Sequence, residues 1–307
     1  MIRSSVIIPL FNEVRTIEKL ILSLQDQSMP SDEYQVIAVD DCSTDGTREY
    51  LESLIFKGNF KLIKQKENLG LSSARNRGIE ASDSDILLFI DGDMEVDHDW
   101  VVSHTIPIEN GEWDGSVGSI AHSAINRTLF IKYLDRANRG AKKNPNERVG
   151  HKHFQFSNTS IKKEILTNVG GFDEKIDLWG GEDIEMVLRI ENFSNPILRF
   201  NPEARAVHHH ERSLKDTFTI MEKFGSRVIP HLINKHSFLR KEFGTIYLDN
   251  IITRKTLTVT LLNPIFFEIM KSTYEKMPKS LSFLMIKYML GYSVFKGYLS
   301  YLKQRGK

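Results

Sequence analysis

Two carboxylates separated by a single glycine, Asp91 and Asp93, follow an unbroken apolar run at 86–90. Such a run is typical of a central strand buried on both faces, and the charges at its end must lie outside the core because an unpaired buried carboxylate is costly. Two nearby hard oxygen donors suit Mg²⁺ or Mn²⁺ carrying a phosphate-bearing substrate. Taken alone, the stretch is equally compatible with an Asp-Gly turn between two strands.

Three more clusters of candidate residues fall where predicted strands end or a predicted helix starts. They are Pro9 to Glu13, Asp40 with Asp41, and Glu182 with Asp183. Strand ends on one edge of a parallel sheet converge, and carboxylates around one crevice repel each other unless a cation or hydrogen-bond donors compensate. A metal ion with a bound diphosphate would supply that cation. Arg75 and Arg77 are the nearest side chains that could offset phosphate charge.

The first 95 residues alternate between strand-like and helix-like segments. The predicted strands are 6–10, 34–39, 60–63 and 86–90. Apolar side chains at i, i+3, i+4 and i+7 predict a helix from Ile17 to Leu24. This order predicts an α/β fold with a doubly wound, mostly parallel, Rossmann-like sheet.

The alternation of strand-like and helix-like segments is less regular after Asp93. Further strands are predicted at 115–121, 154–161, 197–200 and 204–207. The segment 123–153 is polar and basic, so we expect an excursion with little core and a solvated charged surface. A dedicated binding patch is the alternative for that segment.

From about Ser213 the sequence is mostly helical, and its last forty residues are rich in lysine, aromatic and aliphatic side chains. A basic, apolar helix can lie in a membrane interface, which predicts contact with a membrane surface through residues 268–307. The alternatives are packing on the catalytic domain or on a second subunit, as in a homodimer.

Composition narrows the class of protein. The 307 residues are 40% hydrophobic and 26% charged, as in ordinary soluble globular proteins, and a net charge of +1 gives no indication of nucleic-acid binding. Cys42 is the only cysteine, which excludes an internal disulfide and favours a reducing compartment. We expect no membrane-spanning helix and no signal peptide. These features predict a cytoplasmic protein, peripheral at most on the cytoplasmic face of a membrane.

Six short motifs follow one another along the chain. They are Val6 to Glu13, Val39 to Thr47, Asn68 to Gly78, Phe89 to Asp93, Gly170 to Glu174, and Gly181 to Asp183. Their order and content resemble glycosyltransferase family 2 over about residues 3–212. The resemblance implies a GT-A fold and the inverting transfer of a sugar from a nucleotide diphosphate donor.

The resemblance implies roles on the donor side of the crevice. Pro9 and Glu13 resemble the loop that borders the nucleoside. Asp41, with Asp40 beside it, matches the acidic residue that holds a uracil ring. Arg75 resembles the basic residue near the base and the diphosphate. The implied donor is a nucleotide sugar, with UDP as the expected nucleotide.

The resemblance also implies a metal site and a catalytic base. Asp93 resembles the direct ligand of Mn²⁺ or Mg²⁺, Asp91 the residue that contacts ribose or metal-bound water, and Asp183 the base. A histidine after the last strand often completes the metal site in relatives. His208 fits this position best and His209 is the alternative. The run 208–210 could instead be a metal tract of its own, because neutral imidazole suits transition metals.

Asp183 suits its implied role chemically. A carboxylate within hydrogen-bond reach can take the proton of an acceptor hydroxyl, and the start of a helix stabilises the charged form. Simple N-capping is the structural alternative for this residue.

Trp179 and Glu182 precede Asp183 in a segment resembling those of transferases for galactose, N-acetylgalactosamine and related sugars. The ring of Trp179 can stack on a sugar, and Glu182 can accept hydrogen bonds from hydroxyl groups. Trp179 could equally be a core tryptophan. The expected donor sugar is a hexose or N-acetylhexosamine.

These features together predict a metal-dependent inverting glycosyltransferase acting on a hydroxyl of a glycan, glycolipid or lipid-linked acceptor, as in polysaccharide biosynthesis. We expect a GT-A domain at 1–212, divided into a nucleotide-binding half at 1–95 and an acceptor-binding half at 96–212, and a helical region at 213–307. A nucleotidyltransferase is one alternative, although the loop after the first strand lacks the glycines that it would need. A non-catalytic nucleotide-sugar or glycan-binding module is the other.

Overall fold

The structure is a computed structural model, and it describes residues 1–123, 127–136, 148–176, 180–209 and 213–306. Trp179 and His210 lie outside the described residues, and so do the predictions made for them. The chain divides into two compact units. The first draws on Met1–Asn126, Ala137–Asp177 and Glu182–His210, and the second on Arg127–Arg136, Leu178–Gly181 and Glu211–Lys307.

The first unit is built on an eight-stranded sheet. Its strands are β1 Ser4–Leu10, β2 Tyr34–Asp40, β3 Asn59–Lys64, β4 Ile86–Ile90, β5 Met94–Val96, β6 Gly115–His122, β7 Asn158–Lys162 and β8 Leu198–His208. Their order across the sheet is β3-β2-β1-β4-β7-β6-β8-β5. The first four strands pair in parallel, as do β6 and β8, whereas β7 and β5 pair antiparallel with their neighbours. The predicted α/β fold with a mostly parallel sheet is confirmed.

Helices flank the sheet and make up most of the second unit. The α-helices are α1 Ile17–Gln25, α2 Thr47–Glu52, α3 Leu71–Ala81, α4 Trp100–Glu109, α5 Leu129–Arg136, α6 Lys163–Asn168, α7 Glu182–Phe193, α8 Leu214–Lys223, α9 Ile229–Lys235, α10 Leu239–Glu242, α11 Ile246–Asp249, α12 Ile251–Val259, α13 Pro264–Thr273 and α14 Lys279–Arg305. A π-helical turn at Phe224–Val228 joins α8 to α9, and a 3-10 turn at Tyr274–Lys276 follows α13.

The apolar pattern of the sequence explains the parallel half of the sheet. Every residue of β1, β2 and β4 is buried, as expected for unbroken apolar strands covered on both faces. The buried side chains of α1 are Ile17, Leu20, Ile21 and Leu24, the spacing that predicted the helix. The parallel strands therefore deliver the residues after their C-terminal ends to one edge of the sheet.

Asn158, the first residue of β7, fastens β6 to β8. Its side-chain amide donates to the carbonyl oxygens of Ser119 at 3.1 Å and Ala204 at 3.0 Å, close to the shift in the β6–β8 register. Its Oδ1 accepts a hydrogen bond from the Trp100 indole at 2.8 Å. These bonds hold the part of β8 that ends at His208. The strand predicted at 154–161 is β7, which begins at Asn158, four residues later than expected.

The second unit includes a helix from the segment that we expected to have little core. α5 lies within 123–153 and buries Phe130 and Ile131. Phe130 packs in one cluster with Phe283, Ile286 and Met289 of α14. The polar composition of 123–153 conceals this short amphipathic helix, so the expectation was wrong for 129–136. α5 belongs to the second unit with the C-terminal helices, whereas we expected 96–212 to form one contiguous half.

The C-terminal helices differ in how much they bury. α14 buries nine of its residues, whereas α12 and α13 bury none. Within the described ranges of the chain, no helix is long and apolar enough to cross a membrane.

Candidate active site

The turn after β4 carries Asp91 and Asp93 to the edge where the parallel strands end. A Cβ added to Gly92 would lie 2.3 Å from Cδ2 of Leu10 and 3.2 Å from Cγ of Glu13. The absence of a side chain at Gly92 therefore lets this turn pack directly on the last residue of β1 and on Glu13 of the loop that follows. The stretch is both an Asp-Gly turn between two strands and the carrier of two converging acids.

Asp93 and His208 lie side by side. The antiparallel pairing of β5 with β8 places Oδ2 of Asp93 3.1 Å from Nε2 of His208. His209 is engaged elsewhere, with Nε2 2.7 Å from Oε2 of Glu95 and Nδ1 3.1 Å from Nζ of Lys19. Of the two histidines that the sequence left open, the fold pairs His208 with Asp93.

The Asp93–His208 pair suits a divalent metal ion. A carboxylate oxygen and an imidazole nitrogen, both common metal ligands, lie 3.1 Å apart here, close enough for one ion to contact both. Within the described residues, no three His, Cys, Asp or Glu side chains are grouped to hold a metal. Mg²⁺ is usually bound by one or two carboxylates together with substrate phosphates. A two-residue set therefore fits an ion that binds together with a diphosphate.

Glu13 and Asp91 make the surroundings of this pair strongly acidic. Burial and then the nearby charge of Asp93 raise the pKa of Glu13 to about 7. Burial also raises the pKa of Asp91 to about 6 against the attraction of Arg75, although solvent reaches 30% of the Asp91 side chain and moderates this effect. A cation bound here would relieve the repulsion.

Arg75 is buried among acidic side chains. Its Nη1 donates to Oδ1 of Asp183 at 2.8 Å and lies 3.4 Å from Oε1 of Glu182, and its Nη2 lies 3.7 Å from Oδ1 of Asp91. Its guanidinium carbon is 5.2 Å from the centre of the Phe172 ring. One buried cation therefore links the predicted base to the turn that carries the predicted metal ligand.

The two residues before β7, Phe156 and Ser157, hold these groups together through their backbone. The Phe156 carbonyl accepts from Nη2 of Arg75 at 3.3 Å, and its N–H donates to Asp183. The Ser157 carbonyl accepts from the N–H of Asp91 at 3.3 Å. Sequence reasoning missed this role because backbone groups carry it and leave no signal in residue types.

Asp183 stands in the first turn of α7. Burial raises its pKa, while the charge of Arg75 and the hydrogen bond from Phe156 oppose that rise. Solvent still reaches 16% of the Asp183 side chain, compared with 2% of Glu182. Asp183 is therefore the more accessible of the two acids at the start of α7, and the sugar-binding role of Glu182 stays a prediction.

Asp41 anchors the loop that leads into α3. Its Oδ1 accepts from the side-chain amide of Gln65 at 2.6 Å and from the N–H of Leu69 at 2.8 Å, and its Oδ2 accepts from the N–H of Gly70 at 2.8 Å. No side chain caps α3, whose N-cap residue is Gly70. The Asp41 carboxylate has four lone-pair positions, and three hydrogen bonds leave room for one more at Oδ2.

Asp40 and Pro9 are both buried. Asp40 is buried and accepts from Nε of Arg48 at 2.6 Å, while Pro9 is a buried residue of β1. The loop after β1 is tied to the start of α2, because the N–H of Glu13 donates to Oγ1 of Thr47 at 2.8 Å. Direct contact of Asp40 or Pro9 with a donor stays a prediction.

A comparison with family models identifies the family of the chain. The family model described as glycosyl transferase family 2 matches residues 5–170, more than half of the 307 residues. The chain belongs to glycosyl transferase family 2. A second family model, described as the N-terminal domain of galactosyltransferase, matches residues 142–213, the range that contains Asp183 and His208.

Curated relatives of this family 2 chain include named glycosyltransferases. AglE of Haloferax volcanii is 29% identical over 180 residues, which cover 58% of this chain and 58% of AglE. TarS of Staphylococcus aureus, a poly(ribitol-phosphate) β-N-acetylglucosaminyltransferase, is 36% identical over 94 residues, which cover 30% of this chain and 16% of TarS. In both cases the match spans less than two thirds of the relative's own length.

Solved structures resemble the family 2 chain in fold. The 1–349 fragment of S. aureus TarS in complex with UDP-GlcNAc has a TM-score of 0.59 at 16% identity, covering 99% of this chain and 92% of that one. GalNAc-T7 with UDP, GalNAc and Mn²⁺ has a TM-score of 0.53 at 20% identity, covering 69% and 44%. At these identities the likeness shows the fold alone, and it confirms the predicted GT-A architecture.

Proposed function

We propose that this family 2 chain transfers a hexose or N-acetylhexosamine from a UDP-activated donor to a hydroxyl of a glycan, glycolipid or lipid-linked acceptor, with inversion at the anomeric carbon. The observation that carries the proposal is the link between Arg75, Asp183 and Asp91, next to the Asp93–His208 pair. The candidate base and the turn that carries the candidate metal ligand thus face the same buried arginine.

Asp93 and His208 would hold Mn²⁺ or Mg²⁺. When bound, the ion would offset the charge that the diphosphate gains as it leaves. The raised pKa of Glu13 and of Asp91 supports a site that favours an added cation. UDP and Mn²⁺ as specific choices are supported by the ligands of the TarS and GalNAc-T7 complexes.

Asp183 would accept the proton of the acceptor hydroxyl as its oxygen attacks the anomeric carbon. Displacement from one face inverts that carbon and requires no second nucleophilic carboxylate. Arg75 would keep Asp183 ionised and oriented through the 2.8 Å hydrogen bond. We therefore add a positioning role for Arg75 to its predicted contact with the donor.

Asp41 would accept a hydrogen bond from the uracil ring of the donor while it anchors the loop before α3. The carboxylate already accepts three hydrogen bonds from Gln65, Leu69 and Gly70. The remaining lone pair of Oδ2 can accept one more hydrogen bond. The imide N–H of uracil would be its donor.

A donor screen tests the proposal. Purified chain is incubated with UDP-hexoses, UDP-N-acetylhexosamines and GDP-sugars, with Mn²⁺, Mg²⁺ or EDTA, and released nucleotide is measured with and without glycan and glycolipid acceptors. We expect metal-dependent UDP release. Asp183→Asn should bind the donor nearly normally in calorimetry but lose about 10²–10⁴-fold in turnover. Asp97→Asn, an exposed acid, is the control and should remain active.

The binding-module alternative makes the opposite prediction. A module of that kind would bind a UDP-sugar but never release UDP, and Asp183→Asn would then have no effect on any readout. Family membership argues against the nucleotidyltransferase alternative.

A further inference from the structure

The second unit carries most of the large apolar side chains that are exposed in the described part of the chain. Of the 21 large apolar side chains that are exposed among the described residues, 12 lie between 246 and 284. The most exposed include Ile252 at 74%, Val259 at 73%, Ile265 at 71% and Leu284 at 64%. Scattered exposed apolar residues are ordinary, but their concentration in one segment marks an interaction surface.

Helix α13 has apolar residues on two faces and uses one of them within the unit. Phe267 stacks on Tyr292 of α14 with ring centres 4.5 Å apart, and Phe267 and Met270 pack against the buried cluster of α14. Ile265 and Ile269 lie four residues apart on another face and are 71% and 50% exposed. The face with Phe267 and Met270 makes the packing contacts within the unit, so the face with Ile265 and Ile269 stays exposed.

Helices α12 and α14 repeat this pattern. α12 buries no residue, and Ile252 and Val259, seven residues apart, share one helical face. On α14, Leu281 and Leu284 are 44% and 64% exposed, while Phe283 and Ile286 point into the cluster. We call the set Ile252, Val259, Ile265, Ile269 and Leu284 the outer apolar face.

Basic side chains accompany the outer apolar face. Residues 250–287 contain six basic residues and two acidic ones, a net +4, whereas the whole chain carries +1. The basic residues are Arg254, Lys255, Lys271, Lys276, Lys279 and Lys287. Two copies of this surface would repel each other, and lysine is depleted at protein interfaces. An anionic lipid surface, in contrast, attracts basic residues while its acyl region accepts the apolar ones.

A cavity of about 740 Å³ opens at the start of α14. Its charged lining is Arg127, Lys132, Asp135, Arg136 and Lys279. Asp135 pairs with Arg127, and the guanidinium of Arg136 and the ammonium of Lys279 lie 5.4 Å and 5.7 Å from the centre of the Phe283 ring. The excess of cations suits a phosphate headgroup, and Leu281 and Leu284 follow within the next turns of the same helix.

We propose that the outer apolar face and the cation-lined cavity dock the chain on an anionic lipid bilayer. The docking surface thus centres on α12 and α13 and the start of α14, whereas the sequence pointed to the whole of 268–307. Ile252, Val259, Ile265 and Ile269 insert at the level of the headgroups, and Arg136 and Lys279 bind lipid phosphate. This inference does not depend on the proposed transfer reaction.

Vesicle flotation of the full chain tests the proposal. We expect the chain to float with vesicles of phosphatidylcholine and phosphatidylglycerol, to stay in solution with phosphatidylcholine alone, and to dissociate as salt is raised. Ile252→Asp combined with Ile265→Asp should lower the partition coefficient by at least about tenfold. The matched control combines Ile55→Asp with Ile197→Asp, at residues that are 89% and 43% exposed in the first unit, and should float normally.

Other results would overturn the proposal. Absence of flotation with the anionic vesicles would do so, and so would equal flotation of the two double variants. If the wild type is a dimer that Ile252→Asp with Ile265→Asp makes monomeric, and neither floats, a second copy covers the face instead. Hydrogen exchange of the wild type supplies a reading that needs no variant: vesicles should slow exchange at 251–273, and flotation without slowing there places the docking surface elsewhere.

Discussion

Replacing Arg75 with methionine should disturb the proposed base in a way that pH reveals. Methionine fills part of the space of the arginine stem but removes the charge that faces Asp183 at 2.8 Å, Glu182 at 3.4 Å and Asp91 at 3.7 Å. Burial already raises the pKa of Asp183, and Arg75 is the main group that opposes it. Without the arginine, the pKa of Asp183 should rise further.

The size of both effects can be worked from the contacts. An arginine beside a carboxylate lowers the pKa of that carboxylate, typically by about 1–3, so the loss of Arg75 should raise the pKa of Asp183 further. Because the base must be ionised, the acidic limb of kcat/KM against pH should move to higher pH by the same amount. Loss of one partner from a buried ion pair should also lower the free energy of unfolding by about 3–5 kcal/mol.

The assay is kcat/KM for UDP-sugar across pH 5–9, at a temperature where denaturation curves show each variant folded. Arg189→Met is the matched control, since Arg189 lies on the same helix as Asp183 and donates to the buried Glu185 at 2.7 Å. It should lose stability without moving the limb. Arg75→Lys keeps the charge and should restore most of the limb position.

Two results would refute the reasoning on Arg75. One is an acidic limb of Arg75→Met within about 0.3 pH of the wild type. The other is a raised KM for the donor with kcat and limb unchanged, which would leave Arg75 with the donor contact alone.

Further predictions concern the acids and histidines of the crevice. Asp93→Ala and His208→Ala should abolish metal-dependent UDP-sugar binding in calorimetry, whereas His209→Ala, which loses only the contacts to Glu95 and Lys19, should retain it; equal losses would contradict the choice of His208. Glu13→Gln should raise the free energy of unfolding at pH 8 by about 1–2 kcal/mol and leave it nearly unchanged at pH 4. The reason is that the folded state raises the pKa of Glu13 from 4.5 to about 7, so folding favours the protonated form and stability is lost as pH rises through that range. The measurement is urea denaturation of both proteins at pH 4 and pH 8. An equal difference in the free energy of unfolding at the two pH values would contradict the prediction. Asp41→Ala should lower the free energy of unfolding by about 2–4 kcal/mol, since three donors lose their acceptor; a value within 0.5 kcal/mol of the wild type would show that the loop does not depend on this anchor.

The strands of the parallel half were predictable because each is a continuous apolar run that ends in polar residues. Ile86 to Ile90 needs no distant partner to be recognised as a buried strand, and its end places Asp91 and Asp93 at the sheet edge. The motif order similarly pointed to family 2. The short amphipathic α5 was not predictable, because its few apolar residues are scattered in a basic segment and Phe130 is buried in a cluster with residues of α8 and α14, about 80 to 150 residues later in the chain.

The sequence by itself determined the fold class, the acids that meet at the edge of the sheet and the family, since these depend on local periodicity and on residue types in order. The tertiary structure decided which partner each of those residues has. It paired His208 with Asp93 and turned His209 toward Glu95, buried Arg75 against Asp183, and left one apolar face of α13 exposed while covering the other. Pairing of this kind depends on strand register and helix packing between distant parts of the chain, which no local pattern records.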